Sequence, residues 1–346
     1  MAIGLIHVGL GGWGTDWEEN ALPPVREIER VGWVDSHEPT LAKAKERLKL
    51  PTDRCFTSLA DAFAKVDADA VLITAPMFAH VPLTIEALEA GKHVLVEKPF
   101  AATLEEAKGA VALADEKGLT LMVSQQYRHY PAVRKAAELV ASEAFGPVGM
   151  VRLDFRKYSN RARTGASRHY DFPHPLIFDM AIHHFDLMRL ILGQEPVRVF
   201  TQVTDPPWSK FRDEASAAIT ITFERGTVVS YRGSWISTGE PTFWGGEWHV
   251  ECERGELHFV SREGGSSGDA SDELHVLPLD GTAEAVELDQ LAYHGRSAGL
   301  IAFASAIENG EEPETSGRRN LPSLALMIAA ARSAESGKVE EIERFT

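Results

Sequence analysis

The chain has 346 residues, of which 44% are hydrophobic and 25% are charged. These are ordinary values for a globular protein, so they exclude a disordered, collagen-like or coiled-coil chain. At roughly 150 residues per domain, the length predicts two domains. Acidic residues outnumber basic ones by 51 to 35, which gives a net charge of -16. Such an acidic protein is not expected to bind nucleic acids or membranes non-specifically.

The sequence also bears on the cellular compartment. Cys55 and Cys252 are its two cysteines and cannot form a disulfide framework, which favours a reducing environment. Residues 2–8 follow Met1 with neither a basic region nor a long apolar core, so no signal peptide is predicted. No stretch of about 18 apolar residues is available to span a membrane. We therefore expect a cytoplasmic protein.

Apolar runs alternate with helical stretches along residues 1–125, which predicts a parallel sheet covered by helices on both faces. The predicted strands are short and apolar: Ile3–Val8, Val31–Val34, Ala70–Thr74, Val94–Val96 and Leu119–Val123. The predicted helices are Thr40–Leu48, Leu59–Lys65, Val81–Ala90 and Leu104–Lys117, the last with Thr103 as its N-cap. The pair Pro23-Pro24 is expected to end the first helix early.

The pattern changes after about residue 145, where alternating runs predict an antiparallel sheet with one face on helices. Its predicted strands are Ala217–Phe223, Thr227–Trp235, Trp248–Glu253 and Leu257–Val260. A loop is predicted at Ser261–Asp272 and a closing helix at Leu321–Ser333. We therefore predict a doubly wound α/β domain over residues 1–125. An α+β domain with an open, mainly antiparallel sheet is predicted over residues 126–346.

A glycine-rich turn follows the first predicted strand, with the sequence Gly9-Leu10-Gly11-Gly12-Trp13-Gly14. In a dinucleotide-binding loop, the first glycine permits the tight turn, the second admits a pyrophosphate and the third allows close helix packing. The following helix offers free N–H groups to the phosphates. Asp35, at the end of the second strand, is placed to accept hydrogen bonds from a ribose. The alternative is a glycine-rich turn followed by an unrelated solvated aspartate.

A second motif is Glu97-Lys98-Pro99, at the carboxyl end of an apolar strand. Ligands of open α/β sheets bind at this edge of the sheet. Pro99 restricts Lys98 to extended backbone conformations, which limits where the ammonium group can point. The alternative is a surface Glu-Lys pair at a strand exit.

A third motif lies in an apolar helical run. Asp179 and His183 are four residues apart, so one helical face presents both, as a general base and its orienting carboxylate require. A buried helix with satisfied polar residues is the alternative. A metal site that adds His184 is disfavoured, because successive helical side chains diverge by about 100°.

Together these motifs resemble the glucose–fructose oxidoreductase / inositol dehydrogenase family over essentially the whole chain. The matching elements are the Gly9–Gly14 loop, Thr74-Ala75-Pro76 with His80, Glu97-Lys98-Pro99, and Asp179-x-x-x-His183-His184-Phe185-Asp186. The segment from His294 to Pro313 and the helix from Leu321 also resemble the family's C-terminal part. The resemblance implies an N-terminal Rossmann domain. It also implies a second domain whose open sheet often serves for oligomerisation, so a homodimer or homotetramer is expected.

The resemblance further implies hydride transfer between NAD(P) and a hydroxyl carbon of a sugar, cyclitol or related polyol. Lys98 would sit between nicotinamide and substrate, Asp179 would contact the substrate, and His183 would act as the acid/base. No metal is required. The residues expected to bind the cofactor are Gly9, Gly11, Gly12, Trp13, Gly14, Asp35, Ser36, Thr74, Pro76, His80, Glu97, Lys98 and Gln126. This sequence departs from the family at residues 172–175, where Phe-Pro-His-Pro replaces a small glycine-rich turn.

Residues 152–168 carry six basic side chains and one acid in an otherwise acidic chain. Arg156, Arg163 and Arg168 are candidates to bind an anionic group of the substrate, because a guanidinium can make two parallel hydrogen bonds to a carboxylate or phosphate. His184 is a further candidate for substrate contact. The alternative is a solvated strand and loop whose charges balance the acidic remainder.

The sequence thus predicts an NAD-dependent dehydrogenase that acts on a sugar, cyclitol or sugar acid. One rival is a glycosidase of the same fold that uses tightly held NAD for transient oxidation and elimination. The other is a non-catalytic sensor that binds a dinucleotide. The presence of Lys98, Asp179 and His183 argues against the sensor, which has no need of a proton-transfer set.

Asp35 yields a prediction about cofactor choice. Its carboxylate would repel a 2′-phosphate, and Ser36-His37 supply no arginine to neutralise one, so NAD should bind more tightly than NADP. The double change Asp35→Ser with Ser36→Arg should narrow or invert the difference. Fluorescence titration with both reduced cofactors measures this, and an NADP preference of the unmodified protein would contradict it.

Overall fold

Residues 2–161, 170, 173–262 and 272–345 are described by the computed structural model. They divide into two units, residues 1–126 with 293–321 and residues 127–292 with 322–346. The predicted boundary between residues 125 and 126 falls next to the first crossing between the units. The return of residues 293–321 to the first unit was not predicted.

The first unit is built on six parallel strands in the order β3-β2-β1-β4-β5-β6. These are β1 (Ile3–Val8), β2 (Ile28–Val34), β3 (Cys55–Phe56), β4 (Ala70–Ile73), β5 (His93–Val96) and β6 (Leu121–Val123). The helices are α1 (Gly12–Asp16), α2 (Glu38–Leu48), α3 (Leu59–Phe63), α4 (His80–Glu89), α5 (Leu104–Lys117) and α8 (Gly295–Asn309). The predicted parallel α/β sheet is confirmed. Its strand order reverses between β1 and β4, which is where such sheets bind ligands.

The first helix is short, as the proline pair predicts. Helix α1 continues as a π-helical turn at Trp17–Ala21 and ends before Pro23. Thr103 caps α5 as predicted, since its hydroxyl oxygen accepts a hydrogen bond from the Glu106 N–H at 3.3 Å.

Helix α8 explains why the chain returns to the first unit. Leu300 and Phe303 are fully buried in a core that also contains Leu5, Trp17 and Leu72. Burying two such side chains contributes roughly 3–6 kcal/mol. The sequence of α8 is rich in alanine and glycine, so its apolar residues did not form the stripe that marks an amphipathic helix.

The second unit contains a nine-stranded sheet in the order β14-β13-β12-β11-β7-β10-β9-β8-β15. Its strands are β7 (Val148–Arg156), β8 (Pro196–Thr204), β9 (Ser216–Phe223), β10 (Val228–Ser234), β11 (Glu247–Cys252), β12 (Gly255–Val260), β13 (Glu273–Pro278), β14 (Glu284–Ala285) and β15 (Glu340–Glu341). All neighbouring pairs are antiparallel except β7 and β10, which are parallel. The predicted mainly antiparallel sheet is therefore confirmed.

The helices of the second unit are α6 (Pro131–Ala141), α7 (Ile182–Leu192) and the part of α9 (Gly317–Ser336) that begins at Pro322. A π-helical stretch at Leu176–Ala181 leads into α7. Throughout the described part of the chain, no helix has the length and apolar character needed to cross a membrane.

Alternation along the strands gives the sheet two different faces. In β7, Val151, Leu153 and Phe155 are buried, and the Phe155 ring lies 5.4 Å from that of His184 in α7. Arg152 and Arg156 point to the other side, which we call the open face. Further side chains on this face are Asp154, Thr220, Arg232, Glu247, His249 and His258.

The open face yields a prediction about assembly. The described helices of this unit pack against the other face of the sheet. A second copy of the chain is therefore expected to cover the part of the open face formed by β9 and β10. Sedimentation velocity should give a dimer or tetramer at micromolar concentration. Thr220→Lys, in the centre of β9, should shift the protein towards the monomer. Thr52→Lys, an exposed threonine in the first unit, should not; a monomeric wild-type protein would contradict the prediction.

Candidate active site

Two glycines of the Gly9–Gly14 loop are required by packing within the protein. Gly9 has φ +93°, and a Cβ there would lie 2.4 Å from the Ala75 nitrogen. A Cβ at Gly14 would lie 1.8 Å from the Gly9 carbonyl oxygen. Both distances are too short for any larger residue, so the tight turn and the close helix approach depend on glycine.

The other two glycines of the loop face open space. A Cβ at Gly11 or Gly12 would meet no described atom within 4 Å. Packing of the chain therefore gives no reason for glycine at these positions, whereas close approach of a pyrophosphate to the backbone does. The loop fits a dinucleotide.

Asp35 lies beside this loop, as its predicted role in ribose binding requires. Its Oδ2 accepts a hydrogen bond from the Leu10 N–H at 2.8 Å, and its Oδ1 accepts one from the His37 N–H at 2.9 Å. Each carboxylate oxygen can accept more than one hydrogen bond, so these contacts orient the group while leaving capacity for ribose hydroxyls. Ser36, next along the chain, is exposed.

A buried polar network supports the loop from below. Thr74 donates its hydroxyl to the Gly9 carbonyl at 2.6 Å and lies 2.9 Å from His7 Nε2. His7 Nδ1 is 2.7 Å from Glu18, which also accepts a hydrogen bond from the Trp33 indole. Burial would raise the pKa of Glu18, but His7 and other neighbours lower it below its ordinary value. The structure therefore gives Thr74 a supporting role beneath the cofactor loop.

Glu97 joins β5 to the first helix. Its Oε1 accepts hydrogen bonds from the indoles of Trp13 and Trp17, both at 2.9 Å, and its Oε2 accepts one from the Lys98 N–H at 3.1 Å. The Arg296 guanidinium packs over both indoles, 4.4 Å from the centre of the Trp13 ring. Arg296 comes from α8, and the sequence carried no signal of its place beside the glycine loop.

His80 links the backbone at Pro99, next to the predicted catalytic lysine, to the backbone at Ala75, which follows β4. Its ring lies between two carbonyl oxygens, with Nδ1 2.7 Å from that of Pro99 and Nε2 2.8 Å from that of Ala75. Burial lowers the pKa of His80, although both carbonyls favour its protonated form. The Lys98-Pro99 peptide is cis. Lys98 itself is half-buried.

Two glutamines follow β6 at the carboxyl edge of the same sheet. Gln125 and Gln126 are 2% and 4% exposed. Neither amide atom of Gln125, nor Oε1 of Gln126, has a hydrogen-bond partner among the described residues. Buried amides without partners are costly, so these atoms are suited to binding a polar ligand group. The sequence prediction included Gln126 and missed Gln125.

In the second unit, Tyr127 packs against His183 of the third motif. Its ring stacks on that of His183, with centroids 4.0 Å apart and planes 4° apart. Burial raises the pKa of Tyr127, and the charge of Asp179 raises it further. The same buried tyrosine is thus stacked by His183 and has its pKa raised by the charge of Asp179. Asp179 is the more exposed of these two motif residues. The sequence prediction did not include Tyr127.

Arg262 also packs against this tyrosine. Its guanidinium lies 4.5 Å from the Tyr127 ring centre and donates a hydrogen bond to the Tyr127 hydroxyl. The same guanidinium is 5.7 Å from the ring centre of Trp244, over which Lys157 also lies at 4.8 Å. Positive charge therefore collects around Trp244. The sequence held no signal for Arg262, which follows the predicted strands in a glycine-rich segment.

Asp186, the last polar residue of the third motif, has a structural role. Its carboxylate accepts two hydrogen bonds from the Arg128 guanidinium, at 2.5 and 2.8 Å, and one from the Ser323 hydroxyl at 3.0 Å. The pair is buried, and its bidentate geometry with an added hydrogen bond meets the conditions under which a buried ion pair is tolerated. It fixes α7 against the segment that carries Tyr127.

His184 does not have the environment predicted for a substrate contact. It is fully buried, with Nε2 3.2 Å from the Trp244 carbonyl and Nδ1 3.3 Å from the Tyr231 hydroxyl. Burial lowers its pKa to about 4. The structure gives His184 a packing role, because it points into the core while His183 points towards Tyr127.

Of the three arginines predicted to bind an anionic group, Arg156 is among the described residues. Arg156 lies on the open face, opposite α7, where its guanidinium donates to Glu247 at 2.8 Å and to the Glu240 carbonyl at 3.0 Å. Its place follows from alternation, since Phe155 occupies the face towards α7. Arg163 and Arg168 lie outside the described residues.

The glycine loop and Asp35 define a dinucleotide-binding unit. Residues 3–125 match the oxidoreductase family GFO/IDH/MocA, described by its NAD-binding Rossmann fold, and residues 133–258 match the GFO/IDH/MocA C-terminal domain. The chain therefore belongs to the GFO/IDH/MocA oxidoreductase family. The predicted family, cofactor type and enzyme class are confirmed.

Individual relatives agree with this assignment. The chain is 27% identical to D-xylose 1-dehydrogenase (NADP(+)) 2 of Haloferax volcanii, covering 99% of this chain and 100% of the relative. It is 26% identical to 1,5-anhydro-D-fructose reductase of Ensifer adhaerens, over 83% and 84% of the two chains. The fold is shared with the crystal structure of aldose-aldose oxidoreductase from Caulobacter crescentus, with a TM-score of 0.85, 21% identity and coverage of 99% and 100%.

The environment of His184 yields a stability prediction. Its folded pKa of about 4 lies below the ordinary 6.5, so the unfolded chain binds a proton first as the pH falls. The stabilisation is complete above pH 6.5 and is lost between pH 6.5 and 4, by at most about 3 kcal/mol. His184→Gln should lose correspondingly less stability over this window. Urea unfolding of both proteins measures it, and parallel pH curves would contradict the prediction.

Proposed function

We propose that this chain is an NAD-dependent dehydrogenase that oxidises a hydroxyl carbon of a sugar, cyclitol or sugar acid, or reduces the corresponding carbonyl. The observation that carries the proposal is the stack of His183 on Tyr127, with the charge of Asp179 acting on the same ring. An imidazole held in a fixed orientation, with a carboxylate four residues earlier in the chain, is suited to moving a proton to and from a hydroxyl group.

His183 is the general base of the proposed reaction and takes the hydroxyl proton of the substrate. Asp179 favours the protonated imidazole that results, because an opposite charge nearby stabilises it. Tyr127 limits the rotation of the His183 ring by stacking on it. Lys98 stabilises the negative charge that develops on the substrate oxygen. In the reverse direction, His183 returns the proton to the carbonyl oxygen.

Bound NAD supplies the acceptor for the hydride that leaves the hydroxyl carbon. Gly11 and Gly12 leave space for its pyrophosphate, and Asp35 is oriented to bind its ribose. Gln125 and Gln126 offer buried amide atoms without partners to its polar nicotinamide end. These contacts position the cofactor, while proton transfer stays with the protein side chains.

The choice of NAD over NADP rests on Asp35. One relative is named for NADP(+), so membership of the family leaves this choice open. In this chain, Asp35 follows β2 and lies beside the glycine loop, and its two carboxylate oxygens accept hydrogen bonds from the backbone N–H groups of Leu10 and His37. A 2′-phosphate at that position would face this fixed negative charge.

The names of the relatives support a sugar-type substrate. They include a D-xylose dehydrogenase, a 1,5-anhydro-D-fructose reductase and a D-apiose dehydrogenase. In this chain, Arg262 and Lys157 collect positive charge around Trp244, within the unit that carries His183. This charge favours substrates that bear a carboxylate, so sugar acids belong among the candidates.

Catalysis by Lys98 and His183 is tested by substitution. With a substrate found by screening polyols, sugars and sugar acids for NADH formation, Lys98→Ala and His183→Ala should each lower kcat by about 10²-fold or more. Lys92→Ala, which changes a lysine at the opposite end of β5, is the control and should retain activity. The fold-decrease in kcat of the double variant should be smaller than the product of the two single fold-decreases, because both residues act in the same chemical step.

Two results would overturn the proposal. Near-wild-type turnover in both single variants would remove these residues from the mechanism. Cleavage of an aryl glycoside without net formation of NADH would assign the protein to the redox-assisted glycosidases. The affinity for NAD should be unchanged in His183→Ala. A weaker affinity in this variant would show that the substitution disturbs the fold, and its lower kcat would then not report on the chemical step.

A further inference from the structure

The open face of the sheet in the second unit carries histidines on three adjacent strands. His249 of β11 pairs directly with His258 of β12, and His258 pairs directly with His275 of β13. Directly paired residues have Cβ atoms about 4.5–5.5 Å apart, so their side chains are neighbours on the face. The rings of His249 and His258 are stacked, with centroids 4.5 Å apart.

Glu247 completes a set of metal-binding groups beside the first two histidines. Its Oε1 lies 3.9 Å from His249 Nε2 and 3.8 Å from His258 Nε2. One ligand atom from each of the three residues lies within 4.8 Å of the other two. Ligand atoms around tetrahedral zinc are about 3.3 Å apart, so the two distances from Glu247 would need to contract by about 0.5 Å for an ion to bind.

Two neighbouring side chains orient this set. The Arg156 guanidinium donates a hydrogen bond to Glu247 Oε2, which leaves Oε1 directed towards the two imidazoles. His249 Nδ1 is 2.9 Å from Glu256 Oε1. A histidine that donates from one nitrogen to a carboxylate presents the lone pair of the other, which is the usual arrangement of a metal-binding histidine.

His258 provides an independent observation. Its Nε2 is enclosed and has no hydrogen-bond partner among the described residues. The unpartnered nitrogen faces Glu247, where an ion would satisfy it.

We propose that Glu247, His249 and His258 form a binding site for a divalent first-row transition metal of the zinc type. Two imidazoles and one carboxylate are a ligand set that zinc adopts with water in a remaining position. The site lies on the face of the sheet opposite to His183, so it is separate from the proposed proton-transfer residues. Its ion would join β11 to β12.

Cobalt is the probe for this site, because it replaces zinc and its visible absorption reports coordination. The full chain, freed of metal with a chelator and then of the chelator, is titrated with Co²⁺ near neutral pH. We expect saturation at one ion per chain and displacement of Co²⁺ by Zn²⁺. His249→Ala and His258→Ala should each weaken Co²⁺ binding by at least about 100-fold.

Two further variants distinguish the proposed ligands from their neighbours on the open face. His275→Ala, which removes the next histidine on the same face, is the matched control and should bind Co²⁺ as the wild type does. Glu256→Gln leaves all three ligands in place and should weaken binding by roughly 10–100-fold, as expected for a residue that orients a ligand. A urea-unfolding midpoint equal to that of the metal-free wild type shows that each variant is folded.

Three outcomes would overturn the proposal. The first is a wild-type protein that shows no absorption from bound Co²⁺. The second is Co²⁺ binding that is equal in the wild type, His249→Ala and His258→Ala, which would place the ion elsewhere. The third is an equal loss in His275→Ala, which would show that the three proposed residues are not the ligand set.

Discussion

The close contact between Gly14 and the Gly9 carbonyl is the constraint on which the dinucleotide-binding unit depends. The first helix can approach the end of β1 only because position 14 has no side chain, and Thr74 holds the same carbonyl with its hydroxyl at 2.6 Å. With the turn fixed from two sides, the backbone at Gly11 borders open space. The room for a pyrophosphate is thus a consequence of packing within one unit.

A different constraint, the two-residue period of a strand, organises the second unit. It directs Phe155 towards α7 and the neighbouring Asp154 and Arg156 to the open face. Proposed proton transfer and proposed metal binding therefore use opposite sides of one sheet. The same alternation gives Arg156 a partner in Glu247 and removes it from the face that bears α7.

Helix α7 shows how much of the site the sequence predicted. The motif Asp179 to Asp186 correctly indicated a helical segment, but sequence spacing alone could not assign the different surroundings of its polar residues. His183 stacks on Tyr127, His184 is enclosed by Tyr231 and Trp244, and Asp186 pairs with Arg128. Each partner comes from a distant part of the chain, so the environment that separates the two histidines arises only on folding.

The sequence by itself determined the parallel and antiparallel sheets, the glycine loop, Asp35 and the Asp179–His183 spacing, because each follows from local periodicity or from residues close together along the chain. Only the tertiary structure decided that α8 joins the first unit, that Arg262 covers Tyr127, and that His249 meets His258. These contacts depend on strand register and on packing between distant segments, for which hydrophobic pattern carries no information.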